Sequence, residues 1–295
     1  MKNLKSKKLS LKSNNKIALV YRLRTQQAVN LAKELAQWLQ HQNYQVYTAP
    51  EQKIVPGTKA LTKNSELSKM GLVIVLGGDG TYLRAVRLLE GRQVPILGFN
   101  MGNLGFLTAH NADDTFKVVE ATLKGQMKTC PRSMLRAEIR KNGKARLQVD
   151  ALNDLVIERG PHSQLINLAI YSERFLVSEV KADGFIISSP SGSTAYNLAA
   201  GGPIMHPEAK AFVITPVAPH SLTSRPLIFP DDRNLEFRLE GTAKAQLIVD
   251  GQKMADIQKD DEVVVSRSPY DHWIVRALDH NFFHLLREKL RFGDR

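Results

Sequence analysis

The stretch LVIVLGGDGTYL, residues 72–83, decides the reading of this chain. Leu72 to Leu76 is a continuous aliphatic run, β-branched at Val73, Ile74 and Val75, and bounded by glycines. Such a run suits a central parallel strand covered on both faces. Gly77-Gly78-Asp79-Gly80 ends it, and a helix is expected from Thr81 to Glu90. In open α/β sheets, ligands bind beyond the carboxyl ends of the strands. Glycines there let backbone N–H groups approach a phosphate, and the helix start adds a favourable field for an anion. An aspartate inside a phosphate cradle repels that anion unless it has its own task. Two tasks fit Asp79: deprotonating an attacking hydroxyl, or holding Mg2+.

Upstream, Ile17 to Tyr21 reads as a short buried strand. Thr25 is placed to cap a helix in which Val29, Ala32, Leu35, Ala36 and Leu39 recur at helical spacing. Gln45 to Thr48 reads as a second strand, and the polar residues 49–70, with Pro56-Gly57, as a loop with one helical turn. Downstream come a strand at Pro95 to Phe99, a glycine-bearing loop, and a helix from Asp113 to Lys124 stopped by Gly125. Strands alternating with helices predict a parallel sheet. The pattern changes near Cys130-Pro131. Leu135 to Arg140 and Ala145 to Val149 flank Asn142-Gly143, a hairpin signal. Short strand-like runs continue to Ala277, with another tight turn at Asp250-Gly251, and Asn281 to Leu290 is helical again. The expected fold class is α/β plus all-β. An N-terminal parallel-sheet α/β domain, 17–129, precedes a C-terminal β-sandwich-like domain, 130–278, and the final helix in 279–295 returns to the first domain.

The chain has 295 residues, 43% hydrophobic and 24% charged, which excludes a disordered or fibrous protein. Half of the net charge of +12 lies in residues 1–16, which hold six lysines and no acid, and these read as a disordered basic tail. Lys5, Lys7, Lys8 and Lys12 break up any secretory apolar segment. No apolar run approaches the roughly 20 residues that span a bilayer, so no membrane partner is expected. The single cysteine, Cys130, precludes an intrachain disulfide, suits a reducing, cytoplasmic compartment and reads as a small buried hydrophobe.

A second constellation is ADGFIISSPSGSTAYNLAAGGP, residues 182–203. A strand, Phe185 to Ser188, runs into Ser189, Ser191, Ser193 and Thr194 and then a short helix from Ala195 to Ala200. Hydroxyls and small residues at a helix start suit capping, and equally anion or nucleotide contact. With GNLGFLT (102–108), LNDLVIERG (152–160), and ITPVAPHSL (214–222), the two constellations resemble the NAD kinases, in that family's order and spacing. GGDG alone occurs in diacylglycerol, sphingosine and phosphofructo-kinases; its combination with the GSTAY and GGP segments is specific.

The resemblance implies transfer of the γ-phosphoryl of ATP to the 2′-hydroxyl of the adenosine ribose of NAD, with the active site between the two domains and 130–278 as the NAD-binding one. It makes Asp79 the base, with Gly78 and Gly80 along the dinucleotide and Arg84 reaching a phosphate. It gives Asn153 and Asp154 to the nicotinamide and ribose end, adds Gln164, Lys181 and Asp183, and places Thr194, Ala195, Tyr196, Asn197, Leu198 and Ala199 at the adenine side. Gln252 is a late contact. It further implies divalent metal, Mg2+ carried by ATP, and a homo-oligomer, dimer or tetramer, whose subunits share site residues. Asp154 stands where Glu is usual, Lys181 where Arg is common, and Ser189 and Ser191 replace two threonines.

No GxxxxGK[ST], HExxH or paired CxxC occurs, and Gly98, Gly102 and Gly105 lack Rossmann spacing. Of the eight histidines, His110, His206 and His220 read as loop residues with structural hydrogen bonds, His220 being the closest to a family-like motif. Two rivals share features with the chain. A lipid kinase shares the GGDGT loop but needs an apolar acyl cleft. A nucleic-acid-binding protein would use the basic tail, but the aromatics do not interleave with the lysines, so no nucleic-acid partner is expected.

Overall fold

In the computed structural model, which describes residues 6–11, 14–160, 164–241 and 243–291, the chain divides into two units. One comprises the residues up to Pro131 together with those from His272 onward; the other runs from Arg132 to Asp271. The sequence pattern places these borders at 129/130 and 278/279. The chain passes between units inside two long strands, Met127–Lys141 and Asp261–Ala277, whose unbroken β pattern hides the border.

The first unit is built on a parallel sheet. Its strands run in the order Ile96–Asn100, Leu72–Gly77, Lys16–Tyr21, Gln45–Thr48 and Lys59–Ala60, with Ile274 of the last long strand pairing on Ile96. All six residues of Leu72–Gly77 are buried, as expected of a strand covered on both faces. The helix Gln26–His41 buries Ala28, Ala32, Leu35, Ala36 and Leu39 on one stripe. Thr25 precedes it but donates its hydroxyl to the Leu23 carbonyl and does not cap. The helix Asp79–Leu89 begins two residues earlier than expected, and Thr115–Leu123 follows a short 3-10 turn. The polar stretch 49–70 holds the short strand Lys59–Ala60 and a 3-10 helix, Asn64–Lys69. The final helix, Phe282–Leu290, is capped by the Asn281 side chain and buries Leu285 and Leu286.

Part of the tail expected to be disordered is ordered. Lys7 and Lys8 pair antiparallel with Thr129 and Lys128, and Leu9 and Leu11 are buried in the same apolar cluster as Ile17 and Leu35. Leu9 and Leu11 alternate with Ser10 at strand period, a signal that the surrounding lysines mask. Residues 1–5, 12 and 13 lie outside the described residues.

The second unit has two antiparallel sheets. One is ordered Leu227–Pro230, Ala211–Val217, Gly184–Ser188, Asp154–Arg159, Ala245–Val249 and Gln252–Ile257. The other contains Phe175–Ala182, Ile166–Ser172, Leu235–Glu240 and the first part of Asp261–Ala277. Leu155, Ile157, Phe185, Ile187 and Leu247 from one sheet share a buried cluster with Leu168, Ile170, Phe237, Leu239 and Val263 from the other. Every second residue of each strand enters this core, the arrangement of a sandwich. Asn142 and Gly143 both take positive φ, 50° and 74°, in the hairpin joining Met127–Lys141 to Lys144–Ala151.

Candidate active site

At the carboxyl end of Leu72–Gly77 the chain turns at Gly78, in extended conformation, and enters the helix at Asp79. The tightness of this turn explains Gly77, where a Cβ would lie 2.3 Å from the Thr81 hydroxyl. Gly80 is exposed and a Cβ there would meet none of the described residues within 4 Å. Half-buried Asp79 is held by the loop 102–108. Its Oδ1 accepts from Leu107 N at 3.2 Å, Thr108 N at 2.9 Å and the Thr108 hydroxyl at 2.8 Å, and its Oδ2 accepts from Phe106 N at 2.9 Å. Asn100 Nδ2 donates to the Thr108 hydroxyl at 2.9 Å, which fixes the direction of that hydroxyl proton. Gly105 closes the loop on the carboxylate: a Cβ there would lie 2.0 Å from Asp79 Oδ1. A carboxylate offers roughly four acceptor positions. Three donors crowd Oδ1, so Oδ2, with one among the described residues, is the oxygen left to accept a further hydroxyl.

Arg84 turns back into its own unit: Nη2 donates to the Tyr21 carbonyl at 3.0 Å. Burial, the largest influence, lowers its pKa, while Glu51 opposes the shift.

In the second unit, Asn153 and Asp154 stand where the central strand Asp154–Arg159 begins, and both are buried. The backbone around them is tied on two sides. Asp250 accepts from Leu152 N at 3.0 Å, Asn153 N at 2.8 Å and Asp154 N at 3.1 Å. Ser189 N donates to the Asn153 carbonyl, and the Ser189 hydroxyl donates to the Leu152 carbonyl at 2.5 Å. Gly192 packs so closely that a Cβ would sit 2.1 Å from the Asn153 carbonyl oxygen. Among the described residues, Asn153 Oδ1 is buried without a hydrogen-bond partner. Burial, reinforced by the Asp250 charge, raises the Asp154 carboxyl to about 7.

The expected adenine-side helix is a 3-10 turn, Gly192–Thr194, followed by a single turn, Tyr196–Ala199. Asn197 is fully buried, donating to the Ser193 and Pro203 carbonyls and accepting from the Thr215 hydroxyl. Its side chain therefore braces the segment from inside. Tyr196 and Ala199 are exposed, and Thr194, Ala195 and Leu198 half-buried.

Asp183, Gly184 and Tyr196 line a cleft of about 380 Å³ with Glu158, Arg159 and Gln246. Arg159 Nε contacts Asp183 at 2.5 Å, and Gln246 Nε2 donates to Glu158 at 2.8 Å. The Tyr196 hydroxyl titrates above its ordinary range, chiefly through burial and then through the charges of Glu158, Asp154 and Asp183. Lys181 is exposed one strand end away, and Gln164 precedes the strand whose Ile166 pairs with Ala182, at the same corner. Gln252 is exposed just beyond the Asp250-Gly251 turn. Asp250, Glu158, Arg159 and Gln246 join these residues without being singled out by the sequence pattern; for Asp250 the only signal is its turn dipeptide.

Among the described residues, no group of three His, Cys, Asp or Glu side chains could hold a metal ion. With Asp79 already engaged by four donors, the described residues do not fit a protein-built metal cage.

The profile described as ATP-NAD kinase N-terminal domain matches residues 17–127, and that described as ATP-NAD kinase C-terminal domain matches 152–277. The NAD kinase of Bdellovibrio bacteriovorus is 67% identical over 295 residues, 100% of this chain and 97% of that protein. The NAD kinase of Geotalea daltonii is 35% identical, covering 95% of this chain and 99% of its own length. Among solved structures, yeast NADH kinase complexed with NADH shares the fold at a TM-score of 0.89 and 24% identity, covering 96% of this chain and 89% of that one. An NAD kinase from Archaeoglobus fulgidus in complex with ATP shares it at 0.71 and 24% identity, covering 92% and 99%. With both domains matched, and a relative two-thirds identical from end to end, this chain belongs to the NAD kinase family.

Proposed function

We propose that Asp79 is the base of the phosphoryl transfer that defines this family. By its family the chain is an ATP-dependent NAD kinase, moving the γ-phosphoryl of ATP to the 2′-hydroxyl of the adenosine ribose of NAD and releasing NADP and ADP. The observation that carries the role of Asp79 is its carboxylate, locked by four donors with Oδ2 still open to a hydroxyl. Oδ2 takes the proton from the 2′-hydroxyl as that oxygen bonds to the γ-phosphorus. The bond from the γ-phosphorus to the bridging oxygen breaks, and ADP leaves with the electron pair. Phosphoryl transfer depends mainly on positioning and charge stabilisation, and a carboxylate fixed in one rotamer supplies the first.

Gly78 and Gly80 give backbone access beside Asp79, and Arg84 has further N–H groups to offer a phosphate. Asn153, Asp154, Gln164, Lys181, Asp183, Gln252 and the Thr194–Ala199 segment are the proposed dinucleotide contacts; Asn197 contributes through the brace described above. The carboxylates of Asp183 and Glu158 accept from ribose hydroxyls or an amino group. Mg2+ bound to the triphosphate would offset its charge. A homo-oligomer is proposed too, supported by exposed Phe175 and Leu176 on one edge strand and Leu227 and Ile228 on another. Among the described residues no helix is long and apolar enough to cross a membrane. A cytoplasmic location is proposed from the lone buried cysteine. The comparisons give no support to a lipid kinase or a nucleic-acid-binding protein.

The test is NADP formation from NAD, ATP and Mg2+, coupled to an NADP-specific dehydrogenase. Asp79→Asn is expected to bind NAD and to lower kcat by about 10² to 10⁴, the usual share of a general base. Wild-type turnover in Asp79→Asn removes the assigned role.

A further inference from the structure

The loop that holds Asp79 is itself held from behind. Arg276, 2% exposed near the end of the last long strand, donates from Nη1 to the Leu107 carbonyl at 2.9 Å and from Nη2 to the Phe106 carbonyl at 2.6 Å. The Phe106 carbonyl and the Leu107 N–H belong to one peptide unit, and the Leu107 carbonyl and Thr108 N–H to the next. Both units are therefore bonded at each end, N–H to the Asp79 carboxylate and C=O to the Arg276 guanidinium. In a trans peptide those two groups point in opposite directions. Asp79 and Arg276 thus lie on opposite sides of the loop, an anion and a cation joined through two parallel peptide dipoles. Each dipole has its positive end on the anion and its negative end on the cation, and hydrogen bonds in series polarise one another. The Lys289 ammonium, 4.8 Å from the Phe106 ring centroid, adds a second cation on this loop.

We propose that Arg276 is a positioning residue for Asp79: its guanidinium fork sets the two peptide planes that orient the carboxylate towards the hydroxyl it deprotonates. This rests on the proposed role of Asp79 as the base. A guanidinium is required because one planar group must serve two carbonyls at once; an ammonium is a point charge without that fork.

The experiment is a double-mutant cycle in the NADP-forming assay with wild type, Asp79→Asn, Arg276→Lys and the double variant. Displacing a reacting group by about 1 Å can cost about 10²-fold in rate. Arg276→Lys is expected to lower kcat about 10- to 100-fold and to change the KM for NAD less than about threefold. In the Asp79→Asn background it should cost less than about threefold more, because the group it positions is already disabled. A merely structural arginine would give equal factors in both backgrounds, and that result overturns the proposal. A wild type that makes no NADP overturns the kinase reading, and a fully active Asp79→Asn overturns the base; neither outcome resembles a failed relay. A second measurement needs no change at 276. In full-length protein labelled at arginine, the guanidinium NMR signals of Arg276 should shift in Asp79→Asn, across the two peptides. If they stay unmoved, the link does not exist.

Discussion

Asp79 in the first unit and Asp250 in the second each gather three consecutive backbone N–H groups, from Phe106, Leu107 and Thr108 in one case and Leu152, Asn153 and Asp154 in the other. The local chemistry is the same, a carboxylate in a nest of amides. The surroundings differ. Asp79 is half-buried, keeps one oxygen open and is opposed by Arg276 through the loop. Asp250 is 8% exposed and sits close enough to Asp154 to raise that residue's carboxyl. Behind the first nest lies a cation, bonded to the carbonyls of the same peptides. The other nest anchors backbone beside a second acid, and that neighbour, Asp154, bears the cost of burial first and of the Asp250 charge second.

That cost gives the largest stability effect. The folded Asp154 stays protonated up to about 7, whereas in the unfolded chain it ionises above its ordinary 3.8. The stability it contributes is intact below pH 3.8 and is lost as pH rises through 7, about 4 kcal/mol in all at 1.36 kcal/mol per unit. Asp154→Asn, which cannot ionise, should be more stable than wild type by up to that amount at pH 8 in urea unfolding. The advantage should fade towards pH 4, while the KM for NAD rises. An advantage equal at both pH values would mean that neither burial nor the Asp250 charge raises the Asp154 carboxyl, and the contrast with Asp79 would collapse.

The first unit carries the opposite slope. Burial, then the nearby Arg276 charge, lowers His110 to about 4, against the opposing influence of Asp114. The unfolded imidazole takes a proton below about 6.5, so the His110 contribution is complete above that pH and is lost as pH falls to 4. The whole swing is about 3 kcal/mol. His110→Gln should remove it: unfolding of wild type and variant compared at pH 7.5 and 4.5 should differ in slope. If both lose stability equally on acidification, neither burial nor the Arg276 charge depresses His110.

Much of the first nest was legible because it is local. An aliphatic run, a glycine turn and a helix lie within twelve consecutive residues, so strand, turn and Asp79 could be read together. Its partners lie beyond reach of such a reading. Phe106 is 27 positions from Asp79, and Arg276 is 170 from Phe106, an arginine in a strand like any other until the fold brings it to the loop. In the second unit the hydroxyl-rich segment was legible, but the burial of Asn197 depends on Thr215 from another strand. The two edge strands, Leu227–Pro230 and Gln252–Ile257, were missed because their proline and polar residues obey no alternating pattern.

The smallest effect separates anchor from turn. Asn142-Gly143 and Asp250-Gly251 have nearly the same backbone, with φ of 50° and 74° in one and 46° and 76° in the other. A Cβ at either glycine would meet none of the described residues within 4 Å, so Gly→Ala costs only the left-handed strain, about 1 kcal/mol. Gly143→Ala at the hairpin tip should lose that much stability and leave the KM for NAD unchanged. Gly251→Ala should lose the same stability and also raise the KM, because relaxing its φ moves the carboxylate that holds Asn153 and Asp154. The pair is matched in strain and differs only in what the preceding residue holds. An unchanged KM in Gly251→Ala would show that the anchor tolerates displacement, and Asp250 would then be a turn residue that happens to accept hydrogen bonds.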